Sequence, residues 1–330
     1  MNKLSVVLIS KNQEWNIGRL IESILLETSS LEASEIVLVD SASSDNTVDV
    51  ASHYPIKILR LRPEHHLTPA AGRYMGIKHT NSELILCLDG DMELYPGWLA
   101  NAIDIFKTVS DVASITGELI NLPKKTESNK KPHNAEVNPF TMVEIPYSGG
   151  AAIFRRSVLE QVGSFNPYLY SDEEPDLCIR IRHAGYRIIQ LNYPIVYHYS
   201  DPDNKLTTQI NRWRRDLFLG AGQNIRYHLG KDTFWTYFRE RGYGLIPILG
   251  MLAGVISLLI FLLKEQFIWF AAWLVLMTLI ITVDTIRKRC LYRAIFSLLL
   301  RLLIADGTVR GFLLKPLNPD SYPEEFDRIK

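Results

Sequence analysis

The chain has 330 residues, and its 36 Lys and Arg balance its 36 Asp and Glu, so net charge gives no sign of nucleic-acid binding. At this length one large domain with added elements is expected, beyond what a single small core fills. Cys87, Cys178 and Cys290 lie far apart without metal-type spacing, which predicts reduced core thiols.

The opening MNKLSVVLIS enters a strand pattern almost at once and lacks the apolar stretch of a secretory signal, which places a catalytic part in the cytosol. LSVVLIS (4–10), EIVLVD (35–40), IKILRL (56–61) and ELILCLD (83–89) are strands by length and branching. Residues 15–26 and 69–78, between them, have helical spacing. Such alternation predicts an α/β fold with a mainly parallel central sheet covered by helices. Ligands of such sheets bind beyond the carboxyl ends of the strands. Polar residues sit at those ends: Ser10 to Asn12, Asp40 to Asp45, and Asp89-Gly90-Asp91.

Neither a dinucleotide fingerprint nor a P-loop is present, so the phosphates of a bound nucleotide need neutralising in another way. Asp89 and Asp91 are two residues apart and would point the same way in an extended chain. Together they suggest a hard divalent cation on oxygen ligands, although a polar turn after a strand is the plain alternative. Residues 121–139 are polar with three prolines and read as a mobile loop, either a lid or a disordered insertion.

Residues 243–263 carry no charge and would make about 31 Å of helix, the thickness of a bilayer core. A further 17 uncharged residues, 267–283, follow after Lys264-Glu265-Gln266, so the two segments read as a transmembrane hairpin, the alternative being two buried helices. Basic residues on both flanks predict cytosolic ends, and residues 294–305, broken by Arg301, read as interfacial. The expected division is an α/β domain over 1–230 and a membrane-associated region with two transmembrane helices over 231–330.

From Ser5 to about Asn224 the sequence resembles the family 2 glycosyltransferases of GT-A fold. SVVLISKNQEWNIGRLIESIL is similar to the family's opening strand and helix, with Ser10 and Asn12 on the donor side. IVLVDSASSDNT resembles the nucleotide-binding segment, which implies that Asp40 holds the base and Asp45 caps the next helix. TPAAGRYMGI resembles the donor-side helix, where Arg73 matches a basic position that meets the diphosphate. LDGDMELYPGWL then matches the metal motif, with Asp91 on the metal (Mn²⁺ or Mg²⁺) and Asp89 on the ribose or the metal edge.

In the acceptor-side half the base of inverting transfer is the second acid of a pair, here Glu173-Glu174. Glu174 stands where Asp is commoner, which leaves open which of the two reaches the acceptor. The bland reading makes Glu173, Glu174 and Asp176 a helix start pairing with Arg180 and Arg182, and it is the better one for Asp176. His198 matches a histidine that reaches the metal or diphosphate, or is a satisfied strand-end histidine. Gln209, Arg212 and Trp213 partly match the acceptor-binding pattern of processive polysaccharide synthases; a basic amphipathic helix explains them as well. The implied activity is sugar transfer from a nucleotide-diphosphate sugar, UDP-sugar favoured, to a lipid-linked or growing glycan acceptor in cell-surface polysaccharide or glycolipid synthesis. The rivals are transfer to a polyprenyl phosphate and a non-catalytic sugar-nucleotide-binding membrane scaffold.

Overall fold

The computed structural model describes residues 3–29, 31, 34–124, 126, 141–200 and 205–330. The chain divides into two compact units, Met1–Pro202 with Leu317–Lys330, and Asp203–Pro316. The expected boundary at 230/231 therefore moves upstream, and the last residues return to the first unit. Most of the segment read as a mobile loop, 121–139, lies outside the described residues; Asn121 and Leu122 close a strand.

The first unit runs β1 (Leu4–Ser10), α1 (Ile17–Thr28), β2 (Ser34–Asp40), α2 (Thr47–Ser52), β3 (Lys57–Leu61), α3 (Pro69–Lys78), β4 (Leu84–Asp89) and β5 (Met92–Leu94). It continues through α4 (Trp98–Thr108), β6 (Val112–Leu122), β7 (Met142–Glu144), β8 (Ala152–Arg155), α5 (Arg156–Val162), α6 (Glu173–His183) and β9 (Arg187–Tyr199). In the second unit follow α7 (Leu206–Arg214), α8 (Gly220–His228), α9 (Phe234–Arg241), α10 (Ile246–Lys264), α11 (Phe267–Lys288) and α12 (Leu291–Leu313). The chain ends in β10 (Phe326–Arg328), back in the first unit.

The strand order is β10-β3-β2-β1-β4-β8-β6-β9-β5, with β7 paired to β9. β3, β2, β1 and β4 form the parallel centre, in the register Ser10 opposite Asp40 and Ile9 opposite Asp89. That register brings three polar strand ends to one edge. β8 joins β4 antiparallel, and β5 lies antiparallel to β9 with Met92 opposite His198.

Every residue of β1 is buried because both faces are covered. Leu4, Val6 and Leu8 pack towards Ile17, Leu20, Ile21 and Trp98; Val7 and Ile9 pack towards Ala71, Tyr74 and Met75 of α3. α3 starts where Thr68 accepts from the Ala71 amide and Pro69 pre-sets the first turn. It lies close on the sheet because Gly72 and Gly76 carry no side chain: a Cβ at Gly76 would come within 2.2 Å of Val7 Cγ1. That close approach delivers Arg73 to the strand ends.

In the second unit the helix Phe234–Lys264, which includes α9 and α10, and the helix α11 are long and apolar enough to cross a membrane. Trp273 of α11 donates from Nε1 to the Gly250 carbonyl and lies over Gly254, where a Cβ would meet its ring at 2.5 Å. α12 runs continuously through Arg301, the charge that interrupts the apolar run 294–305. It meets α8 through small residues, since a Cβ at Gly311 would stand 2.0 Å from the Leu219 carbonyl oxygen. Cys87 and Cys178 are buried, and burial pushes their thiols up to about 12 and about 11; Cys290 is half-buried at the α11–α12 corner and so departs from the expected core position.

Candidate active site

Asp40 ends β2 fully buried. Its carboxylate accepts from the Ser43 amide at 2.9 Å and from the Ser43 hydroxyl, and lies 3.6 Å from Arg60 Nε. Ser10 stands beside it, with Oγ 3.5 Å from Asp40 Oδ1. Asn12 braces the same loop: its amide donates to Ser43 Oγ at 2.9 Å and its Oδ1 accepts from the Ser44 amide at 2.8 Å. Asn12 (φ 55°) and Ala42 (φ 53°) hold left-handed backbone, a strained setting that Asn tolerates better than Ala. Asp45 accepts from the Thr47 amide at 3.0 Å at the start of α2 and so caps it, although Asn46 holds the formal cap position.

Across the sheet edge the turn Asp89-Gly90-Asp91 is held from below by Asn16, which the sequence reading passed over. Its Nδ2 donates to the Gly90 and Met92 carbonyls at 3.0 and 2.8 Å. A buried amide beside a tight turn has no sequence signature until β1 and β4 are paired. A Cβ at Gly90 would meet Gln13 Cγ at 2.8 Å and Ser10 Cβ at 3.1 Å, so what comes close to this glycine is the neighbouring loop. Gly150 does the same for the charge cluster, its would-be Cβ lying 2.8 Å from Asp89 Oδ2.

Arg73 lies at the centre, with its side chain 2% exposed. Nη2 bonds Asp89 Oδ1 at 2.7 Å; Nη1 bonds Glu173 Oε1 at 2.7 Å and lies 3.2 Å from Glu174 Oε1. The resemblance assigned this arginine to a diphosphate; here it joins the end of β4 to the acidic start of α6. Its guanidinium also lies over the Phe165 ring at 5.6 Å. One cation cannot balance three carboxylates. Burial raises Asp89 to about 6 against the pull of Arg73, and burial together with Glu174 raises Glu173 well above the usual carboxylate range. Glu173 is almost enclosed while Glu174 keeps 19% of its side chain open, so Glu174 is the acid of the pair better able to meet a second molecule. Asp176 is buried and pairs with Arg180 at 2.6 Å, the structural role read for it from sequence.

β5–β9 pairing brings His198 to Asp91, a contact between residues far apart in sequence. His198 Nε2 stands 3.6 Å from Asp91 Oδ2, and its Nδ1 lies 2.8 Å from Asn121 Oδ1. With Nδ1 donating to that oxygen, Nε2 is the ring nitrogen that faces the carboxylate. Asp91 Oδ1 is buried, and among the described residues it meets no hydrogen-bond partner. Among the described residues no group of three or more His, Cys, Asp or Glu is arranged to hold a metal by itself.

Gln209, Arg212 and Trp213 belong to α7 in the second unit. Trp213, expected to stack on a sugar, donates from Nε1 to Asp306 at 2.7 Å and has Arg310 over its ring at 5.4 Å. Its indole thus packs α7 on α12. Gln209 is buried and Arg212 exposed.

A helix-covered sheet with a parallel centre and carboxylates gathered at its strand ends is the GT-A architecture. Residues 5–163 match the Glycosyl transferase family 2 model and residues 133–284 the Glycosyl transferase family group 2 model. Together these matches span residues 5–284, and over that span the chain is similar to the family 2 glycosyltransferases. Among curated relatives, a pre-mycofactocin glycosyltransferase of Mycobacterium tuberculosis is 27% identical over 66% of this chain and 46% of its own. A dolichol-phosphate mannosyltransferase of Pyrococcus furiosus is 30% identical over 34% of this chain and 32% of its own. The chain spans about half the length of the first of these relatives, or less. Among solved structures, the mannosyltransferase PcManGT of Pyrobaculum calidifontis, in complex with GDP-Man and Mn²⁺, aligns at a TM-score of 0.60 and 18% identity over 94% of this chain and 87% of that one, a likeness of fold.

Proposed function

We propose that the chain is a metal-dependent inverting glycosyltransferase that moves a sugar from a nucleoside-diphosphate donor to a lipid-linked or growing glycan acceptor. On this reading the α10–α11 hairpin anchors it in a membrane with the catalytic unit on the cytoplasmic side, where basic residues flank the hairpin. The observation that carries the reading is the Asp91 carboxylate, with Oδ2 beside His198 Nε2 and Oδ1 without a partner among the described residues, within a site where acids outnumber Arg73. Carboxylate and imidazole are a donor set for Mn²⁺ or Mg²⁺, and a diphosphate would complete the shell.

Asp91 and His198 would hold the ion, and the ion would supply charge neutralisation to the departing diphosphate. On this reading Asp40, Ser10 and Asn12 form the nucleoside end, where Ser43 and Arg60 hold the enclosed Asp40 carboxylate in place. Glu174 takes the acceptor hydroxyl's proton as its oxygen bonds to the anomeric carbon, while the bond to the diphosphate oxygen breaks and that oxygen keeps the electron pair. Arg73 keeps Asp89 and the Glu173-Glu174 pair in one frame. The nucleotide sugar and Mn²⁺ named with the solved mannosyltransferase of this fold support the donor class. The donor's base and sugar, UDP-sugar being favoured, are resolved by a nucleotide-sugar panel.

The test combines metal and base. With Mn²⁺ or Mg²⁺ the purified protein should turn over a nucleotide sugar, and Asp91→Asn should abolish this and weaken diphosphate binding. Glu174→Gln should keep donor affinity and lose about 10²- to 10⁴-fold in transfer. Normal transfer by Glu174→Gln with loss in Glu173→Gln would shift the base by one residue, and normal transfer by both would remove the acid–base assignment. Assays with glycan and with polyprenyl phosphate in detergent separate the two acceptor classes.

A further inference from the structure

The chain leaves the first unit for the helical one and then returns, and the returning tail does more than cover a sheet edge. β10 pairs antiparallel with β3, Phe326 opposite Leu61, and so occupies an edge that would otherwise be open. Glu324 pairs with Lys78, Glu325 with Arg62, and Lys330 Nζ donates to the Ser52 and Tyr54 carbonyls at 2.8 and 2.7 Å. These contacts fix the register of the tail. Tyr322, ahead of them, is buried at 2% exposure and reaches elsewhere.

Its hydroxyl donates to the His66 carbonyl at 2.9 Å. Its ring meets His65 at 6.1 Å, Tyr74 of α3 at 6.0 Å and Tyr168 at 5.6 Å between centroids. The adjacent Ser321 hydroxyl lies 3.2 Å from that of Tyr168. Tyr322 thus sits between two loops. One carries His65 and His66 and ends at Thr68, the cap of α3, which presents Arg73. The other carries Tyr168 and Tyr170 and ends at Asp172, left-handed at φ 58°, directly before Glu173 and Glu174. The two loops also touch directly: Thr68 Oγ1 donates to the Pro167 carbonyl at 2.8 Å, and His66 packs edge-on against Tyr170 at 4.5 Å. The nucleoside loops at Asn12 and Asp40 are not among these contacts.

We propose that Tyr322, on the returning tail, is a positioning residue for the acceptor side of the site: it wedges the two loops so that Arg73 and the Glu173-Glu174 pair meet in one geometry. The inference rests on the transferase reading above. Small misplacements of a reacting group cost rate far more than they cost substrate binding, so the signature is a loss in kcat at unchanged donor affinity.

The experiment compares Tyr322→Ala, Tyr322→Leu, Tyr322→Phe and Phe326→Ala in the full-length protein, measuring Tm, nucleotide Kd and transfer kcat well below every Tm. Phe326 packs on His79 at 4.7 Å within β10 and serves as the purely structural comparison. Tyr322→Ala is expected to lose about tenfold or more in kcat with Kd within about twofold of the parent. Tyr322→Phe, which keeps the ring wedge, should recover most of the rate, while Phe326→Ala should lower Tm and leave kcat unchanged. If Tyr322→Ala does not fold, Tyr322→Leu, which keeps apolar bulk without the ring contacts, is read in the same way. Equal kcat for the Tyr322 and Phe326 variants, or an equal weakening of donor binding by both, overturns the proposal. The parent protein run alongside separates the two levels: no sugar transfer by the parent with any nucleotide sugar removes the transferase reading, whereas normal parent transfer with an unaffected Tyr322→Ala removes only the role of the tail.

Discussion

Strand β1 and helix α11 are both rich in large apolar residues, yet every residue of β1 is buried and no residue of α11 is. In β1 the partners come from the chain itself: parallel strands on both sides and a helix layer on each face. In α11, Ile268, Val275 and Leu279 are 72%, 68% and 57% exposed. At about 25 cal/mol per Å² of apolar surface, water is a costly neighbour for such a helix, and lipid is the solvent in which that cost vanishes. The comparison shows why apolar content alone does not say what a segment does. A short branched run with turn signals on both sides is completed by its own chain, while a run long enough to cross a bilayer is completed by what surrounds it.

The largest effect should come from removing the exposed partner of this comparison. Replacing residues 246–288 with a flexible linker should move the protein from the membrane pellet to the supernatant after carbonate washing; a protein that stays in the pellet would place the anchor elsewhere. The excision has to spare Leu317–Lys330, because a cut to the C-terminus would also strip β10 and Tyr322 from the first unit.

Next in size is the charge at the centre of the buried unit. Arg73→Met should lower unfolding free energy by about 3–5 kcal/mol, since it leaves Asp89 and Glu173 without their buried partner. Adding Glu173→Gln should return part of that loss in urea titrations, and a fully additive double mutant would deny the coupling.

Two glycines sharpen the contrast further. Gly76→Ala puts a Cβ 2.2 Å from Val7 Cγ1, and overpacking of this kind should cost about 1–3 kcal/mol. Gly250→Ala, on α10, meets nothing within 4 Å and should be neutral or stabilising by up to about 1 kcal/mol. Thermal unfolding of both variants decides it, and a Gly250 variant as damaged as the Gly76 variant would mean that α10 is packed against something close. The smallest effect is at the surface: Lys57→Gln breaks a half-exposed pair with Glu35 and should change stability by less than about 1 kcal/mol, with the difference shrinking in high salt.

Much of this was legible in the chain itself, because local pattern carries local structure. Alternation of short apolar runs with helical spacing placed β1 to β4 and α3 within a residue or two, and the uncharged lengths placed α10 and α11. The strand-end acids followed from the same pattern, since a parallel sheet puts its polar residues at the carboxyl ends of its strands. Tertiary structure decided which of those residues meet. The family resemblance set Arg73 near a diphosphate; its link to Asp89 and Glu173 exists only because α3 closes on β1 through Gly72 and Gly76. Trp213 looked like a sugar platform and is taken up by Asp306 and Arg310. His198 reaches Asp91 through β5–β9 pairing, Asn16 reaches the Asp89-Gly90-Asp91 turn from the start of α1, and Tyr322 returns from beyond the helical unit. The physical reason is common to all of them: periodicity along a chain encodes which face of an element is apolar, but contacts between residues tens or hundreds of positions apart depend on register and close approach, which exist only once the elements have packed.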